Sequence, residues 1–562
     1  MMKFPFGILI IASLLSACNH TQETTSAYSL KSGGEMPSSQ QGLNVKHADL
    51  GFTIKPDQQI IDGVTTLTLM TTTPRKSFSV DLDRVFHISE VLVNGQVLAP
   101  ELYSNPDGML LVKQAVSGEF TVTIKYNGQP RVPVRAPWDG GLMWEKTPNG
   151  ADWIATAVQG EGCDLFWPCI DHPSGEPTKV DLHINVPKPL VAASNGVLLN
   201  VTDEGATRTY HWQTKSLHNT YGIALNIAPY ELLETNFTSV YGNTLDIQFF
   251  HLPERTEKAK ILFAEIPEMI NFFERMIGPY PFGQEKVGIA ETPHLGMEHQ
   301  TINAYGNEYK KDQFGYDWLM QHEFAHEWFG NQLTNDDWDH MWLHEGFGSY
   351  MQPLFAQYLH GDLAYKANLA KQRTGIVSKS PLVSNQVREV EQVYQHDTGP
   401  GGDIYTKGSW VLHTLRYLIG DDAFFKATKQ LVYGTTDPQP GNFTPVFKNS
   451  ADFVNIVNTI TGKDMSWFFD VYLYQADLPK LVVDRKDDAI TVQWEIENNK
   501  PFHMPVELSI NGKITTLDLT KPVTLAINKM DVVILDPNSK ILKYDQHIVD
   551  FQNFRKEQSA KK

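Results

Sequence analysis

The sequence predicts a multidomain α+β protein with an N-terminal antiparallel β domain, a central mixed α/β domain and a small C-terminal β-sandwich. Its length of 562 residues is too great for one hydrophobic core. Strand-type patterns dominate up to about residue 250, helical spacing dominates from there to about 475, and short strand patterns return afterwards. The content of 41% hydrophobic and 11% aromatic residues is that of a folded globular protein.

The first seventeen residues are typical of a secretory signal peptide. A basic start, MMK, precedes an uncharged apolar run, FPFGILIIASLLSA, that is short for a membrane span. The junction Leu15 to Cys18 resembles a bacterial lipobox, in which the signal is cut before a cysteine that becomes lipidated. A plain secretory signal with a coincidental cysteine is the alternative. Because Asn19 is not the aspartate that usually retains lipoproteins in the inner membrane, we expect an outer-membrane anchor on Cys18. We expect the body to face the periplasm, although the sequence leaves a surface orientation open.

Two segments follow the signal. Residues 18–44 are polar, rich in Ser, Thr, Gln and Gly, and without periodicity, which predicts a flexible tether. Residues 45–250 contain alternating or β-branched stretches such as DGVTTLTLMTTT and GEFTVTIKYNG, separated by Asn-Gly and Gly/Pro turns. This pattern predicts the N-terminal β-sheet domain.

The remaining chain divides into three parts. Residues 251–476 show helical spacing in ERTEKAKILFAEIPEMINFFERMIG, DWLMQHEFAHEWFG and KGSWVLHTLRYLIG, which predicts the mixed α/β domain. Residues 477–550 return to short strands such as DAITVQWEIE, which predicts a small β-sandwich. Residues 551–562 form a short charged tail.

The net charge of the chain bears on its partners, and its few cysteines bear on possible disulfides. Without the signal peptide, which contains Lys3, the chain has 46 Lys and Arg residues against 65 acidic residues, a net charge of −19. Such a surface repels phosphate backbones, so nucleic acid is not expected as a partner, and membrane contact is expected through the lipid anchor only. Beyond Cys18 only Cys163 and Cys169 remain, and the sequence leaves open whether they pair.

A zinc-site pattern lies in QHEFAHEWFGNQLTNDDWDHMWLHEGFGSY. His322 and His326 are four residues apart, so on a helix both imidazoles leave the same face and can bind one ion. Glu345, from the following helix, can be the third ligand of a single catalytic Zn²⁺. Glu323 can reach the bound water as general base. The alternative is a helix with ordinary surface histidines.

A second pattern concerns how a peptide would bind. KVGIAE reads as a short strand, and Gly296, Met297 and Glu298 follow it. An exposed strand edge can align an extended peptide by main-chain pairing. A carboxylate at the end of that edge can bind the terminal ammonium of a peptide and exclude longer extensions. Taken alone, such a tripeptide is more often ordinary surface.

These residues together resemble the aminopeptidase N / leukotriene-hydrolase family of zinc metallopeptidases, the gluzincin aminopeptidases. The family has HExxH, then eighteen intervening residues, then a glutamate, which matches His322, His326 and Glu345. Its exopeptidase signature, Gly-x-Met-Glu-Asn, is similar to the stretch Leu295 to His299. The metzincin extension is absent, because Phe329 and Gln332 occupy its positions.

The resemblance implies a thermolysin-like catalytic domain over 251–476 and three further site residues. In AVQGEGCDLFWPCIDHP, Glu161 would be a second anchor for the substrate amine and Gln159 would line the cleft. In DIYTKGSWVL, Tyr405 would donate to the tetrahedral oxyanion. His299 and His344 replace asparagines usual in the family. The large C-terminal helical domain of the family has no counterpart here.

The sequence therefore predicts a zinc-dependent aminopeptidase that acts on peptides with a free N-terminal amine. A thermolysin-like endopeptidase is the first alternative, and the two glutamate anchors argue against it. Epoxide hydrolysis, a side activity in one branch of the family, has no support in the sequence. A surface lipoprotein that binds peptides without turnover is the alternative from another class.

Overall fold

The computed structural model describes residues 31–441 and 443–561. The predicted signal peptide, Cys18 and residues 18–30 of the predicted tether lie outside the described residues. Within the described part, no helix combines the length and apolar content needed to cross a bilayer. The three predicted folding units are present, so the α+β fold class is confirmed.

The N-terminal domain is built from fifteen strands. They are β1 (Leu43–Lys55), β2 (Ile60–Arg75), β3 (Phe78–Asp81), β4 (His87–Val93), β5 (Gln96–Val97), β6 (Tyr103–Ser104), β7 (Met109–Val112), β8 (Val116–Gly128), β9 (Gly141–Lys146), β10 (Asp152–Ala157), β11 (Val180–Pro187), β12 (Val191–Ala193), β13 (Val197–Asp203), β14 (Thr207–Gln213) and β15 (Asn226–Ala228). Eight of them form one sheet in the order β13-β14-β11-β1-β2-β8-β4-β5. Smaller sheets, β12-β15-β10-β9 and β3-β7-β6, complete the domain. Along β1 and β2, buried and more exposed residues alternate, as expected for sheets with one face on a core.

The central domain contains seven strands and ten helices. The strands are β16 (Glu231–Thr238), β17 (Thr244–His251), β18 (Val287–Glu291), β19 (Gly296–Met297), β20 (Asn303–Tyr305), β21 (Leu333–Asn335) and β22 (Val446–Lys448). The helices are α1 (Thr256–Phe263), α2 (Ile266–Met276), α3 (Trp318–Trp328), α4 (Trp342–His360), α5 (Asp362–Arg373), α6 (Val390–Tyr394), α7 (Asp403–Ile419), α8 (Asp421–Tyr433), α9 (Ser450–Thr461) and α10 (Ser466–Tyr472). The stretch predicted as one helix over 254–278 is two, because Pro267 lies in the first turn of α2.

The boundary between the first two domains lies earlier than the predicted residue 250. β16 and β17 belong to a five-stranded sheet of the central domain, in the order β16-β17-β18-β20-β19. β17 pairs in parallel with β18, from Ile247 opposite Val287 to Phe250 opposite Ala290. β16 and β17 are strand-like in sequence and pair with each other, but the second partner of β17 lies about forty residues downstream.

The C-terminal part is a small β-sandwich followed by a helix. Its strands are β23 (Lys480–Arg485), β24 (Ala489–Glu495), β25 (Val506–Ile510), β26 (Lys513–Leu517), β27 (Val523–Ala526) and β28 (Val533–Leu535), in two three-stranded sheets. Residues 551–560 of the predicted charged tail belong to α11, which spans Gln546–Ala560 and has no buried residue. The side chain of Asp545 caps α11 by accepting a hydrogen bond from the amide of His547 at 2.9 Å.

The tether prediction is wrong for residues 31–44. Ser32 and Gln40 are buried, and β1 already begins at Leu43. The side-chain amide of Gln40 donates to both carboxylate oxygens of Asp81 at 2.8 and 2.9 Å. The polar residues of this segment therefore form specific hydrogen bonds with the N-terminal domain and do not make a free linker. The question left open for Cys163 and Cys169 is also answered, since they form a disulfide.

Helices α4 and α7 lie in close contact and carry two predicted site residues near their N-terminal ends. A Cβ atom placed on Gly408 of α7 would lie 2.8 Å from the Cα of Gly346 in α4. Only glycine at both positions permits this approach without displacing backbone. The contact sets Glu345, next to Gly346, and Tyr405, one turn before Gly408, side by side.

Candidate active site

One cavity of about 620 Å³ contains every site residue that the sequence predicts within the described chain. It lies between the N-terminal and central domains. Its lining includes Gln159, Glu161, Gly296, Met297, Glu298, His322, Glu323, His326, Glu345 and Tyr405. Residues more than 240 positions apart therefore meet in one place.

The two histidines lie on α3, which begins sharply at Asp317. The carboxylate of Asp317 accepts hydrogen bonds from the amides of Leu319 and Met320, each at 3.1 Å, and so fixes the first turn. The predicted helical spacing is confirmed, because the Nε2 atoms of His322 and His326 lie 3.2 Å apart.

The orientation of His326 is fixed by a backbone contact. Its Nδ1 lies 2.8 Å from the carbonyl oxygen of Phe329 and must donate to it. When a metal ion displaces the proton on Nε2, that atom directs its lone pair into the cavity, as a metal ligand requires. A Cβ on Gly348 would lie 3.3 Å from the ring of His326, so this glycine leaves room for the imidazole.

Glu345 supplies the third ligand atom from α4. Its Oε2 lies 3.6 Å from Nε2 of His322 and 3.4 Å from Nε2 of His326. Bonds of about 2.0–2.2 Å in a tetrahedral zinc site place neighbouring ligand atoms about 3.3–3.6 Å apart. The observed triangle of 3.2, 3.4 and 3.6 Å therefore fits a zinc ion. Oε2 is buried without a hydrogen-bond partner in the described chain, which is the state expected of an atom that ligates a metal.

The cavity concentrates negative charge. Glu298, Glu323 and Glu345 are each at most 5% exposed. Burial, and secondarily the charge of Glu298, raises the pKa of Glu323 well above its ordinary value. Burial alone would lower the pKa of His326, but the carboxylates of Glu345, Glu298 and Glu323 together raise it to about 10. Three buried acids with so little compensating charge favour a divalent cation and a cationic ligand.

Glu323 and Glu298 approach each other at the edge of the sheet. One carboxylate oxygen of each, and a ring nitrogen of His326, lie within 4.8 Å of one another. Gly296 makes this possible, because a Cβ there would lie 2.5 Å from Oε1 of Glu323. The dipeptide Gly296–Met297 forms β19, which is the last strand of its sheet and leaves one edge unpaired. The prediction of KVGIAE as the edge strand is wrong, because β18 pairs on both sides, with β17 and β20. The edge beside the base is that of β19.

A set of hydrogen bonds holds Glu298 in place. Gln159 donates its side-chain amide to Oε1 of Glu298, and Tyr221 donates its hydroxyl to the same atom at 3.1 Å. Asn331 donates to the backbone oxygen of Glu298 at 3.1 Å. Burial, with only partial compensation by these bonds, raises the pKa of Glu298. A cation beside the carboxylate would favour its ionised form.

Two tyrosines lie next to the ligand triangle. The ring of Tyr405 lies 6.1 Å from the ring of His322, and the hydroxyl of Tyr394 donates to Oε1 of Glu345 at 3.1 Å. Burial raises the pKa of Tyr405 well above its ordinary value, and the charge of Glu345 adds to this. Tyr405 is therefore a protonated phenol, which can donate a hydrogen bond.

The surroundings of Glu161, His299 and His344 limit what these three residues can do in the site. Glu161 lines the cavity, but its carboxylate forms an ion pair with Arg131. Glu298 is therefore the carboxylate left for an ammonium group. His299 and His344 are fully buried, and burial lowers the pKa of both, that of His344 to about 3. Both are neutral residues behind the site.

The sequence interpretation missed Tyr221, Tyr394 and Asn331. Tyr221 lies in an irregular stretch of the N-terminal domain, and Tyr394 ends a helix of five residues. Neither position has a periodic or motif signal. Asn331 follows the HExxH helix by three residues, and its closeness to the motif is the one feature that could have indicated it.

The sequence matches two family models. The model of the peptidase family M1 domain matches residues 266–472, and that of the peptidase M1 N-terminal domain matches residues 44–221. Together they cover more than half of the chain. They place the end of the N-terminal domain before β16, in agreement with the sheet pairing.

Similar proteins include archaeal relatives. Probable aminopeptidase 2 of Sulfurisphaera tokodaii is 24% identical over 426 residues, which are 72% of this chain and 51% of that protein. Leucyl aminopeptidase of Saccharolobus solfataricus is 22% identical over 411 residues, 68% of this chain and 50% of that protein. The chain thus spans about half the length of these curated relatives.

Solved structures share the fold. An M1 zinc metallopeptidase from Deinococcus radiodurans has a TM-score of 0.64 and 22% identity, over 79% of this chain and 96% of that one. Legionella pneumophila aminopeptidase A, in complex with aspartic acid, has a TM-score of 0.72 and 16% identity, over 90% of this chain and 60% of that one. These two likenesses show that known proteins adopt this fold over most of the chain.

Proposed function

Because the chain belongs to peptidase family M1, we propose that it is a zinc-dependent aminopeptidase that removes the N-terminal residue of peptides. The observation that carries the proposal is the position of Glu298, whose carboxylate lies within 4.8 Å of the carboxylate of Glu323 and a ring nitrogen of His326. In a peptide the terminal nitrogen and the first carbonyl carbon are only about 2.5 Å apart. An ammonium group held by Glu298 therefore brings the first peptide bond, and no later one, to Glu323.

His322, His326 and Glu345 would hold the zinc ion. When bound, zinc supplies Lewis acidity, which polarises the scissile carbonyl and lowers the pKa of water at the site from 15.7 to about 7. Tyr394 supports the ligand set, because its hydroxyl donates to Oε1 of Glu345 and leaves Oε2 for the metal.

The other groups around the ligand triangle bind the substrate, transfer the proton and stabilise the oxyanion. The free edge of β19 pairs with the backbone of the substrate, and Glu298 binds its ammonium group. Glu323 takes a proton from the attacking water onto its carboxylate and returns it to the leaving amine. The phenol of Tyr405 donates to the oxygen that becomes negatively charged. Gln159 and Tyr221 keep Glu298 aligned throughout.

The proposal is tested with a free aminoacyl chromogenic substrate and its N-acetylated twin, each with and without a chelator. We expect the free substrate to be cleaved at least about 10²-fold faster, because acetylation removes the positive charge and leaves the buried carboxylate of Glu298 without a cationic partner. A chelator should abolish cleavage, and added zinc should restore it. A Glu298→Gln variant should lose most of the preference. Equal cleavage of the two substrates would favour the endopeptidase alternative, and chelator-insensitive or absent cleavage would contradict the proposal.

Export and lipid anchoring are further parts of the proposal. The apolar run before Cys18 and the junction LSAC support them, and Asn19 supports the outer membrane. The expected result is that the wild-type protein incorporates labelled palmitate and sediments with outer membranes. A Cys18→Ser variant should do neither. Equal labelling and sedimentation of the two proteins would contradict the anchor.

A further inference from the structure

The N-terminal segment 31–42, here called the strap, connects the N-terminal domain to the helix that carries Tyr394. We propose that the strap is a positioning element of the active site, which holds α6 so that Tyr394 donates to Glu345. This inference rests on the proposed function for its kinetic consequence. The structural part of the proposal, that the strap anchors α6, does not depend on the proposed function.

One side of the strap is fastened to the N-terminal domain. Ser32 donates its hydroxyl to the carboxylate of Asp171 at 3.2 Å, and the amide of Gly33 donates to the backbone oxygen of Asp171 at 3.4 Å. Further along, Gln40 donates to both carboxylate oxygens of Asp81 at 2.8 and 2.9 Å. Ser32 and Gln40 are each 2% exposed. The strap is therefore fixed at both of its ends.

The other side of the strap pairs with the chain that enters α6. Gly33 forms an antiparallel bridge with Glu389. The amide of Val390 donates to the backbone oxygen of Ser32 at 3.0 Å, and the amide of Gly34 donates to the backbone oxygen of Arg388 at 3.2 Å. The ammonium group of Lys31 lies 3.2 Å from the carboxylate of Glu389. Three consecutive residues before and within α6 thus depend on the strap.

Helix α6 is too short to be stable by itself. It has five residues, and an isolated helix of that length has no stability in water. Glu389 is its N-cap and forms a capping box with Gln392, whose side-chain oxygen accepts from the amide of Glu389 at 3.0 Å. The strap therefore pairs with the residue that starts the helix.

The rest of the loop has a separate anchor. Asp339 accepts hydrogen bonds from the amides of Ser384 and Asn385 at 2.8 to 3.0 Å and forms an ion pair with Arg388. Those contacts end one residue before Glu389. Among the described residues, the strap supplies the backbone pairing from there to the start of α6.

Tyr394, the last residue of α6, transmits the position of the helix to the metal ligands. Its hydroxyl lies 3.1 Å from Oε1 of Glu345 and 3.4 Å from the side-chain oxygen of Gln159. A small rotation of α6 would lengthen both contacts, because the hydroxyl lies at the far end of the phenol from the helix backbone. Glu345 would then lose the partner that orients its carboxylate.

Gly33 gives a sharp way to disturb the strap. Its φ is +76°, and a Cβ there would lie 2.1 Å from Cδ1 of the buried Trp338. Gly33→Ala therefore breaks the bridge to Glu389. Gly205→Ala is the matched control, because Gly205 has a φ of +83° in the turn between β13 and β14 with no atom within 4 Å of its Cβ position. Both substitutions place an alanine at a positive φ, but only Gly33→Ala brings the new Cβ against a neighbouring side chain, that of Trp338.

The structural half is measured by amide hydrogen exchange of the whole chain. We expect Gly33→Ala to increase exchange in peptides that cover residues 388–394, starting with the amide of Val390, while α3 and α4 keep wild-type protection. Gly205→Ala should leave these peptides unchanged. If Gly33→Ala does not fold, the pair Lys31→Ala/Ser32→Ala removes both side-chain contacts without backbone strain. Unchanged exchange of residues 388–394 in the folded variant would overturn the proposal.

The kinetic half is measured as a double-mutant cycle with Tyr394→Phe. Tyr394→Phe should lower kcat about tenfold and Gly33→Ala about fivefold, each with KM within twofold of wild type. If the strap acts through Tyr394, Gly33→Ala should lower kcat by less than twofold more in the Tyr394→Phe background. Effects that multiply to about fiftyfold would contradict this coupling. A wild-type protein without hydrolysis would instead refute the proposed function, and the exchange experiment would still decide whether the strap anchors α6.

Discussion

Replacing Glu323 with glutamine is expected to lower kcat by at least about 10²–10⁴-fold while zinc stays bound. The amide is nearly isosteric with the carboxylate but cannot accept a proton from water. Glu323 is 5% exposed, and one of its carboxylate oxygens lies within 4.8 Å of a carboxylate oxygen of Glu298 and a ring nitrogen of His326. Because Glu323 supplies none of the three ligand atoms, its replacement by glutamine should slow the chemical step and leave metal binding intact.

The measurement combines steady-state kinetics with zinc content per chain. Glu145→Gln is the control, because Glu145 is an exposed residue of β9 away from the cavity and should leave kcat within twofold. Near wild-type turnover by Glu323→Gln would remove Glu323 from the proposed mechanism. Loss of zinc together with activity would assign it to metal binding.

Replacing Glu345 with alanine is expected to remove both the metal and the activity. Glu345 supplies one of three ligand atoms, and its Oε2 lies 3.4 and 3.6 Å from the two histidine nitrogens. Two imidazoles alone bind zinc far more weakly than a three-ligand site with an ordered support. The substitution also leaves the hydroxyl of Tyr394 without the carboxylate that it contacts at 3.1 Å.

Elemental analysis after dialysis should find about one zinc per chain in the wild type and less than about 0.2 in Glu345→Ala, with kcat/KM lower by more than about 10³-fold. Glu323→Gln serves as the paired protein, because it should lose activity and keep zinc. Full zinc occupancy in Glu345→Ala would show that the ion is held elsewhere.

The catalytic centre could be predicted from sequence because its geometry is local. His322 and His326 share a helix whose period alone sets their separation, and the structure places their Nε2 atoms 3.2 Å apart. Glu345 lies in the first turn of the next helix, which limits where it can be. The short strand pattern before Gly296 and Met297 was visible in the sequence, but it forms the internal strand β18, and only the sheet order shows that β19 is the edge.

Other features depend on partners distant in the sequence and could not be predicted. β16 and β17 look like the strands before them, and only the pairing of β17 with β18 assigns this hairpin to the central domain. The strap is polar like a linker, but its polar groups bond to Asp81 and Asp171. Tyr221 and Tyr394 are isolated tyrosines without a motif, and only the fold brings them to Glu298 and Glu345.

The most direct test of the central claim is an anomalous difference map from crystals of the protein, recorded at the zinc absorption edge. The ligand triangle predicts one strong peak about 2.0–2.2 Å from Nε2 of His322, Nε2 of His326 and Oε2 of Glu345. A map with no peak among these three atoms, or with its strongest peak at other side chains, would contradict the zinc site on which the proposed activity depends.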